Sequence, residues 1–335
     1  MVAVDLWEMG VHDLPSTGRE ESSCEDRGAM RVSVVTATCR RGYLPLVAKG
    51  LANQTLGDWE WIVVDDNPMA NETDIAEIRE RLKGHLIMHT EPQSRVDHYA
   101  PAGARNTGFQ MASGEVVLYC NDYVIPGPYA LERHYVSCRL HGPKALVSGH
   151  LVRPSPPILC TLSPDRIRVD SGWAPRWEGN EVLPEARIRE ANLDGRIGLS
   201  TWRMRSPTDW WAGRSDSIPR ETGRAICEGH REHPGDLWEG TGPENEVFDG
   251  GWGYPDQQLA QECVEILGCE MVFDTEAVCM EIPHPRGMGK PRIRMDQEQQ
   301  DLARRVAEER GGLLSMTGDS PRPPGGSRPG GAKNR

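Results

Sequence analysis

At 335 residues the chain has room for one large domain or two ordinary ones, and it can bury a substantial core without a staple. The formal net charge of −12, from 50 acidic against 38 basic residues, argues against duplex DNA or an anionic membrane as the main partner, because such binders present a basic surface. No apolar run approaches the ~20 residues of a membrane span. No basic segment followed by an apolar stretch opens the chain. Nine scattered cysteines, without C-x-x-C or zinc spacing, fit reduced thiols and a cytoplasmic location.

Residues 1–30 lack periodicity and read as a mobile extension. From there to residue 150, strand and helix signals alternate. Val32–Thr36 is a β-branched run fit for a strand buried on both faces. Leu44, Val47, Ala48 and Leu51 fall on one helical face. Trp59–Val64 predicts a second strand, ending in Asp65-Asp66-Asn67-Pro68. Ile75, Ile78 and Leu82 mark a second helix, and His85–Met88 a third strand. A helix over Ala102–Ala112 leads to a strand over Val116–Cys120, which ends in Asn121-Asp122. A helix over Tyr129–Leu140 and a strand over Ala145–Ser148 follow. Such alternation implies a mostly parallel sheet with helices on both faces, and in such sheets ligands bind outside the carboxyl ends of the strands.

Residues 151–215 lose the alternation and are rich in proline, and seven of the ten tryptophans lie between Trp173 and Trp252. Order returns with a helix over Asp256–Gly268 and a strand over Glu270–Phe273. Met295–Leu314 is polar and helix-prone, and residues 317–335 are rich in Pro, Gly and Arg, a composition of disorder. The chain therefore divides into an extension (1–30), a first half (31–150), a second half (151–285) and a C-terminal helix and tail (286–335).

Four places can carry chemistry. Asp65-Asp66 ends a strand, where carboxylates accept hydrogen bonds from a base or ribose; the plainer reading is turn chemistry. Asn121-Asp122-Tyr123 ends another, where a carboxylate can hold a divalent cation against a diphosphate, or simply form a polar turn. Asp256 stands at a helix start after Gly250-Gly251-Trp252-Gly253, a place that an N-terminal Asp occupies for its own sake. His284, framed by Pro283 and Pro285, is rigidly presented as a metal ligand, or is merely exposed.

Order and spacing join these places. Val32–Arg40 resembles the opening strand and loop of family-2 glycosyltransferases, hydrophobic residues and then P-T/S-Y-N-R. Gln54-Thr55 with Trp59–Asp66 resembles the family's Q-T and W-E-hydrophobic-V-V-D-D stretch. Ala104-Arg105-Asn106-Thr107-Gly108, then Ala112-Ser113-Gly114-Glu115, is similar to its A-R-N-x-G…A-x-G-E helix. Asn121–Pro126 stands where the family has D-x-D and then hydrophobic residues and proline, and Gly251–Leu259 where it has G-W-G-x-E-D-x-E-L.

The resemblance covers residues 31–285. It implies a GT-A fold, a Rossmann-like α/β arrangement, and transfer from a nucleotide-diphosphate sugar, a UDP-sugar first of all, with inversion at the anomeric carbon. It implies that Thr36 and Asp65 or Asp66 line the nucleoside pocket, that Arg105 approaches the donor, and that Asn121 and Asp122 face the diphosphate. It further implies Mn²⁺ or Mg²⁺ at Asp122, helped by His284, and Asp256 as general base. Asn121 and Tyr123 replace the outer carboxylates of the metal motif, and Pro255 replaces the Glu before the base. The tryptophan-rich segment reads as the acceptor side, since aromatic faces stack on sugar rings or else pack a core. The acceptor itself is open: a glycan, a protein, a metabolite or a modified base, and oligomerisation is open too. The alternative is a catalytically degenerate domain that binds a nucleotide sugar. A nucleotidyltransferase would show a Gly-rich basic loop after the first strand, and no G-x-x-x-x-G-K-S/T for P-loop chemistry is present.

Overall fold

The computed structural model describes residues 30–93, 100–152, 167–169, 175–177, 193–204, 216–232, 242–249, 255–281, 301, 302 and 305. The alternating first part forms β1 (Val32–Thr38), α1 (Leu44–Ala52), β2 (Trp59–Asp65), α2 (Pro68–Arg81), β3 (Leu86–Thr90), α3 (Pro101–Met111), β4 (Val116–Tyr119), β5 (Val124–Pro126), α4 (Ala130–His141) and β6 (Ala145–Val152). Short strands β7 (Ile167–Val169) and β8 (Pro175–Trp177) pair only with each other. Then come β9 (Leu193–Arg196), β10 (Thr201–Met204), β11 (Asp216–Pro219), α5 (Arg220–Glu232), a 3-10 turn over Glu246–Phe248, α6 (Pro255–Glu265) and β12 (Glu270–Glu281).

The main sheet runs β3-β2-β1-β4-β11-β6-β12-β10-β9, with β5 paired to β12. Strands β1 to β4 are mutually parallel, as are β6 and β12. β11 runs antiparallel between β4 and β6, and β10 antiparallel beside β12. Strands from both expected halves of the chain thus share one sheet. The last long strand, β12, lies in its interior.

Period-2 alternation divides the core into two layers. Val32, Val34, Trp61 and Val63 face α1, α2 and α4 through Leu44, Val47, Ile75, Ile78 and Leu131. Val35, Ile62, Val64, Val117 and Tyr119 face α3, α5 and α6 through Ala104, Phe109, Ile226, Leu259 and Cys263. Each fully buried Val or Ile contributes roughly 1.5–3 kcal/mol, so the continuously apolar β1 and β2 anchor both layers. Gly108 sets the approach of α3 to β1: a Cβ there would stand 2.3 Å from Val35 Cγ1.

The family-like motifs include much of the polar glue. Glu60 Oε1, fully buried, accepts from Ser33 Oγ (2.5 Å), Ser113 N (2.7 Å) and Ser113 Oγ (2.9 Å), while Gly114 N donates to Ser33 Oγ at 2.8 Å. Gln54 joins the end of α1 to the turn before α4, donating to Gly127 O at 2.7 Å and accepting from Leu131 N at 3.1 Å.

Three expectations are revised. The strand expected over Glu270–Phe273 continues to Glu281, with a register shift between Asp274 and Val278. Buried Asp274 interrupts the apolar run but is held by Arg133 at 3.0 Å and Ser137 at 2.6 Å. The stretch 151–215 is not without order, since β7, β8, β9 and β10 lie in it and β11 begins directly after it. The helix expected to run to Gly268 ends at Glu265, and Gly268 takes the left-handed conformation (φ 66°) just beyond. Residues 1–29 and 317–335 lie outside the described residues, as does all of Met295–Leu314 except 301, 302 and 305.

Candidate active site

The strand order reverses between β1 and β4: β2 and β3 extend the sheet to one side of β1, and β4 lies on the other. The helix leaving β1 packs in one layer and the helix entering β4 in the opposite layer. That parting makes a crevice at the carboxyl ends of β1 and β4, the usual binding place of such sheets. Thr38-Cys39-Arg40 and Asn121-Asp122-Tyr123 stand at those two ends.

Asp122 is buried there, and both its oxygens are engaged. Thr38 Oγ donates to Oδ2 at 2.7 Å, and Arg40 NH1 donates to Oδ1 at 3.1 Å. The Arg40 guanidinium lies over the Tyr123 ring, 4.8 Å from its centroid, and Asn121 Nδ2 donates to the Tyr123 hydroxyl at 2.7 Å. Burial pushes the Asp122 carboxyl up, against the Arg40 charge and the Thr38 hydrogen bond. Burial and the Asp122 charge push the Cys39 thiol up, against the Arg40 charge.

The expected nucleoside-side residues separate. Thr36 is fully buried, and its hydroxyl accepts from the Trp61 indole at 2.9 Å, so it lines no open surface; Thr38, two residues on, is the threonine at the strand end. Asp65 is also fully buried. Its oxygens accept from Asn67 N (2.8 Å) and Asn71 Nδ2 (2.9 Å), and His89 Nε2 lies 3.1 Å away. The turn reading therefore accounts for Asp65. Asp66 is half-buried beside it, its N–H donating to Thr38 O at 2.9 Å.

A second polar network lies at α3. Arg105 is paired to the loop after α5: its Nε donates to Glu244 Oε2 at 2.8 Å, and both side chains are buried. Asn106 Oδ1 accepts from Glu244 N at 2.9 Å, while its Nδ2 donates to Glu244 O (2.7 Å) and Glu246 Oε1 (2.8 Å). Asp249 accepts from the N–H groups of Ala102 and Gly103, both at 2.8 Å. These are orphan donors of the first turn of α3, where a carboxylate also suits the helix dipole. The preceding Ala100 has no side-chain oxygen to cap them, so a residue far along the chain does so.

Burial outweighs the attraction of Arg105 and pushes the Glu244 carboxyl up to about 8, with Asp256 and Asp249 adding to it. Among the described residues Glu244 Oε1 has no hydrogen-bond partner. Burial likewise raises Asp249 to about 6, against the two backbone bonds. Asp256 is the second residue of α6, after Pro255 at the first position, where the missing N–H costs nothing. It is half-buried, and its charge is felt at Glu244.

Sequence reasoning passed over Thr38, Arg40, Glu244 and Asp249. The run Pro243-Glu244-Asn245-Glu246, acidic and directly before the Gly-rich approach to Asp256, was the available signal for the loop. His284 and residues 251–254 lie outside the described residues, as do Trp173, Trp210, Trp211 and Trp238. Trp202 is described: it sits in β10, half-buried against the α3 layer, with the Arg196 guanidinium 5.9 Å from a ring centroid.

Residues 33–153, from β1 to the end of β6, match the family model of glycosyl transferase family 2. Over that segment the chain is similar to family-2 glycosyltransferases. No curated protein matches the chain by sequence. Two solved structures resemble the whole: GalNAc-T7 with UDP, GalNAc and Mn²⁺ (15% identity, TM-score 0.50, 87% of this chain and 52% of that one), and S. aureus TarS 1–349 with UDP-GlcNAc (12% identity, TM-score 0.51, 84% of this chain and 66% of that one). The sheet and its flanking helices thus have the GT-A fold, and the chain spans about half to two thirds of the length of those structures.

The described residues test the implied metal. They contain no group of three or more His, Cys, Asp or Glu side chains that could hold an ion. Asp122 is the one carboxylate of the motif, and Arg40 already neutralises it. His284 lies outside the described residues, so of the implied donors only Asp122 is described, and a divalent cation brought to it would meet a guanidinium 3.1 Å from the same carboxylate: Asp122 paired in this way does not fit one as it stands.

Proposed function

We propose that the chain is an inverting glycosyltransferase that uses a nucleotide-diphosphate sugar, a UDP-sugar first of all, with Asp256 as general base. The observation that carries this reading is the family-2 match over the strands that form the β1/β4 crevice, with Asp122 buried at its floor and Asp66 at the end of the neighbouring β2. Support for UDP is the presence of UDP in the GalNAc-T7 structure and of UDP-GlcNAc in that of TarS. Among the described residues all seven cysteines are free, which fits the reducing cytoplasm, and no helix is long and apolar enough to cross a membrane.

In the proposed reaction the acceptor hydroxyl oxygen attacks the anomeric carbon from the side opposite the diphosphate. The bond from that carbon to the β-phosphate oxygen breaks, and its electron pair leaves with the nucleoside diphosphate. The hydroxyl proton goes to Asp256. General-base help of this kind is typically worth ~10²–10⁴-fold. Holding both substrates in line supplies a further large factor. No covalent sugar–enzyme intermediate is needed. Asp66 takes hydrogen bonds from the base or ribose, and the tryptophan-rich segment presents the acceptor. The resemblance also implies a divalent cation, and the similar GalNAc-T7 structure holds Mn²⁺, but Asp122, paired to Arg40, does not fit one as it stands.

The test is a melting panel of UDP-, GDP- and dTDP-sugars on the full chain, followed by assay of nucleoside diphosphate release. A ligand of the folded state raises apparent stability by mass action. A shift with one donor, together with release of its diphosphate, is the expected result. A shift with no release in the presence of any acceptor class favours the alternative reading, a domain that only binds nucleotide sugars, for which the altered Asn121-Asp122-Tyr123 motif speaks. Absence of any shift removes both.

A further inference from the structure

We infer that Arg40 takes the part of the cation on the donor diphosphate, so that donor binding and transfer in this chain need no divalent metal; this rests on the glycosyltransferase reading above. The two sides of the Arg40–Asp122 pair are unequally exposed: 27% for the Arg40 side chain and 4% for Asp122. A ligand entering the crevice between β1 and β4 therefore meets the guanidinium, with the carboxylate underneath it. Asp122 and Thr38 act as the floor that holds the cation in place. Thr38 Oγ donates to Asp122 Oδ2 at 2.7 Å and accepts from Arg40 N at 3.2 Å, so one hydroxyl fixes both the carboxylate and the start of the arginine.

The altered motif reads consistently in these terms. Where a third carboxylate would complete a metal site, Tyr123 offers its ring face to the guanidinium at 4.8 Å. A carboxylate there would attract a metal ion; an aromatic face instead orients a planar organic cation and helps to bind it. Asn121 donates to the Tyr123 hydroxyl at 2.7 Å, which steadies the ring. All three residues of Asn121-Asp122-Tyr123 thus serve the placement of Arg40. A guanidinium stays charged at any working pH, and its planar fork of N–H donors matches two phosphate oxygens at once. When the anomeric bond breaks, the negative charge that gathers on the β-phosphate oxygen develops beside this fixed positive group. In a chain of net charge −12, such a local cation is also what makes the crevice receptive to a doubly phosphorylated ligand.

The experiment measures UDP and GDP binding to the full chain by calorimetry, in EDTA and in Mn²⁺, with uridine and guanosine as diphosphate-free controls. At least one diphosphate should bind in EDTA within about twofold of its affinity in Mn²⁺. Arg40→Met should weaken that binding by about tenfold or more, with no recovery in Mn²⁺, and leave the nucleoside control unchanged. Arg40→Lys, which keeps the charge but loses the fork, should fall between. Melting of each variant without ligand checks its folding, and the lysine variant still decides the matter if the methionine variant does not fold. Binding that appears only with Mn²⁺, or an Arg40→Met affinity equal to wild type, overturns the inference and leaves the glycosyltransferase reading standing. Binding of neither diphosphate in either condition overturns that reading, and the inference with it.

Discussion

At the scale of single residues, Asp256 carries the sharpest question, because a stabilising first-turn carboxylate and a general base occupy the same place. Asp256 is the second residue of α6, so its part in the helix is the attraction of its charge to the helix N-terminus. Asp256→Asn should therefore lower stability only by the lost charge–dipole attraction, ~0.3–1 kcal/mol. Asn cannot accept the acceptor's proton, so transfer should fall by about 10²-fold or more while donor affinity holds. Near-normal turnover in a normally melting variant would leave Asp256 as a first-turn helix residue alone. The contrast with Asp65, Thr36 and Arg105 shows what a sequence reveals about a site. It locates the strand ends, since apolar runs stop there. It does not reveal which of two neighbouring polar residues turns inward. Asp65 and Asp66 look alike as letters, yet one is sealed under Asn67, Asn71 and His89 and the other is half-buried. Thr36 and Thr38 share a face of β1, and only the second stands at the last position of the strand, where that face opens.

At the scale of elements, the docking of α3 is testable from both its faces. On the sheet side, Gly108→Ala would gain up to ~1 kcal/mol of helix propensity. Its Cβ would, however, meet Val35 Cγ1 at 2.3 Å, and a β-branched core residue has little freedom to yield. Overpacking of this kind costs about 1–3 kcal/mol, so a lower melting temperature is expected, with partial recovery on adding Val35→Ala. On the loop side, Glu244 titrates far above an unfolded carboxylate. The native state then holds a proton that the unfolded state has released, so stability is fully present below pH ~4.5 and declines as pH rises towards 8. Asp249 acts in the same sense up to about 6. Buried His134, lowered to about 4, acts in the opposite sense and has finished by 6.5. Of these three groups only Glu244 still titrates between pH 6.5 and 8. Melting temperatures over that interval should fall in the wild type and flatten in Glu244→Gln. The helices and strands up to β6, except the three-residue β5, were readable because their apolar residues keep regular periods. β11 was not, because Asp216-Ser217-Ile218-Pro219 offers one aliphatic residue and takes its place only between β4 and β6.

For the molecule as a whole, the single sheet explains why a division into halves is a division of sequence more than of structure. β4 pairs with β11 and β6 with β12, so neither half closes its sheet alone. The terminal segments are a different matter. Residues 1–29 and 317–335 carry no apolar periodicity with which to join a core. A chain trimmed to 30–316 should melt within a few degrees of the full one and bind the same nucleotide with the same affinity. A large loss of melting temperature on trimming would mean that one of these segments packs on the body.

The place of β12 has a consequence for how the protein is made. It is the last strand in chain order among the described residues, yet it lies between β6 and β10 and also receives β5. While the ribosome has delivered only the residues before Glu270, those three strands have open edges, and open edges invite pairing with other chains. The growing chain thus passes through a long interval in which most of its sheet exists in sequence but cannot be sealed. Messages cut short ahead of β12 should accordingly yield insoluble product, and chaperone dependence should end abruptly once residue 281 is free of the exit tunnel.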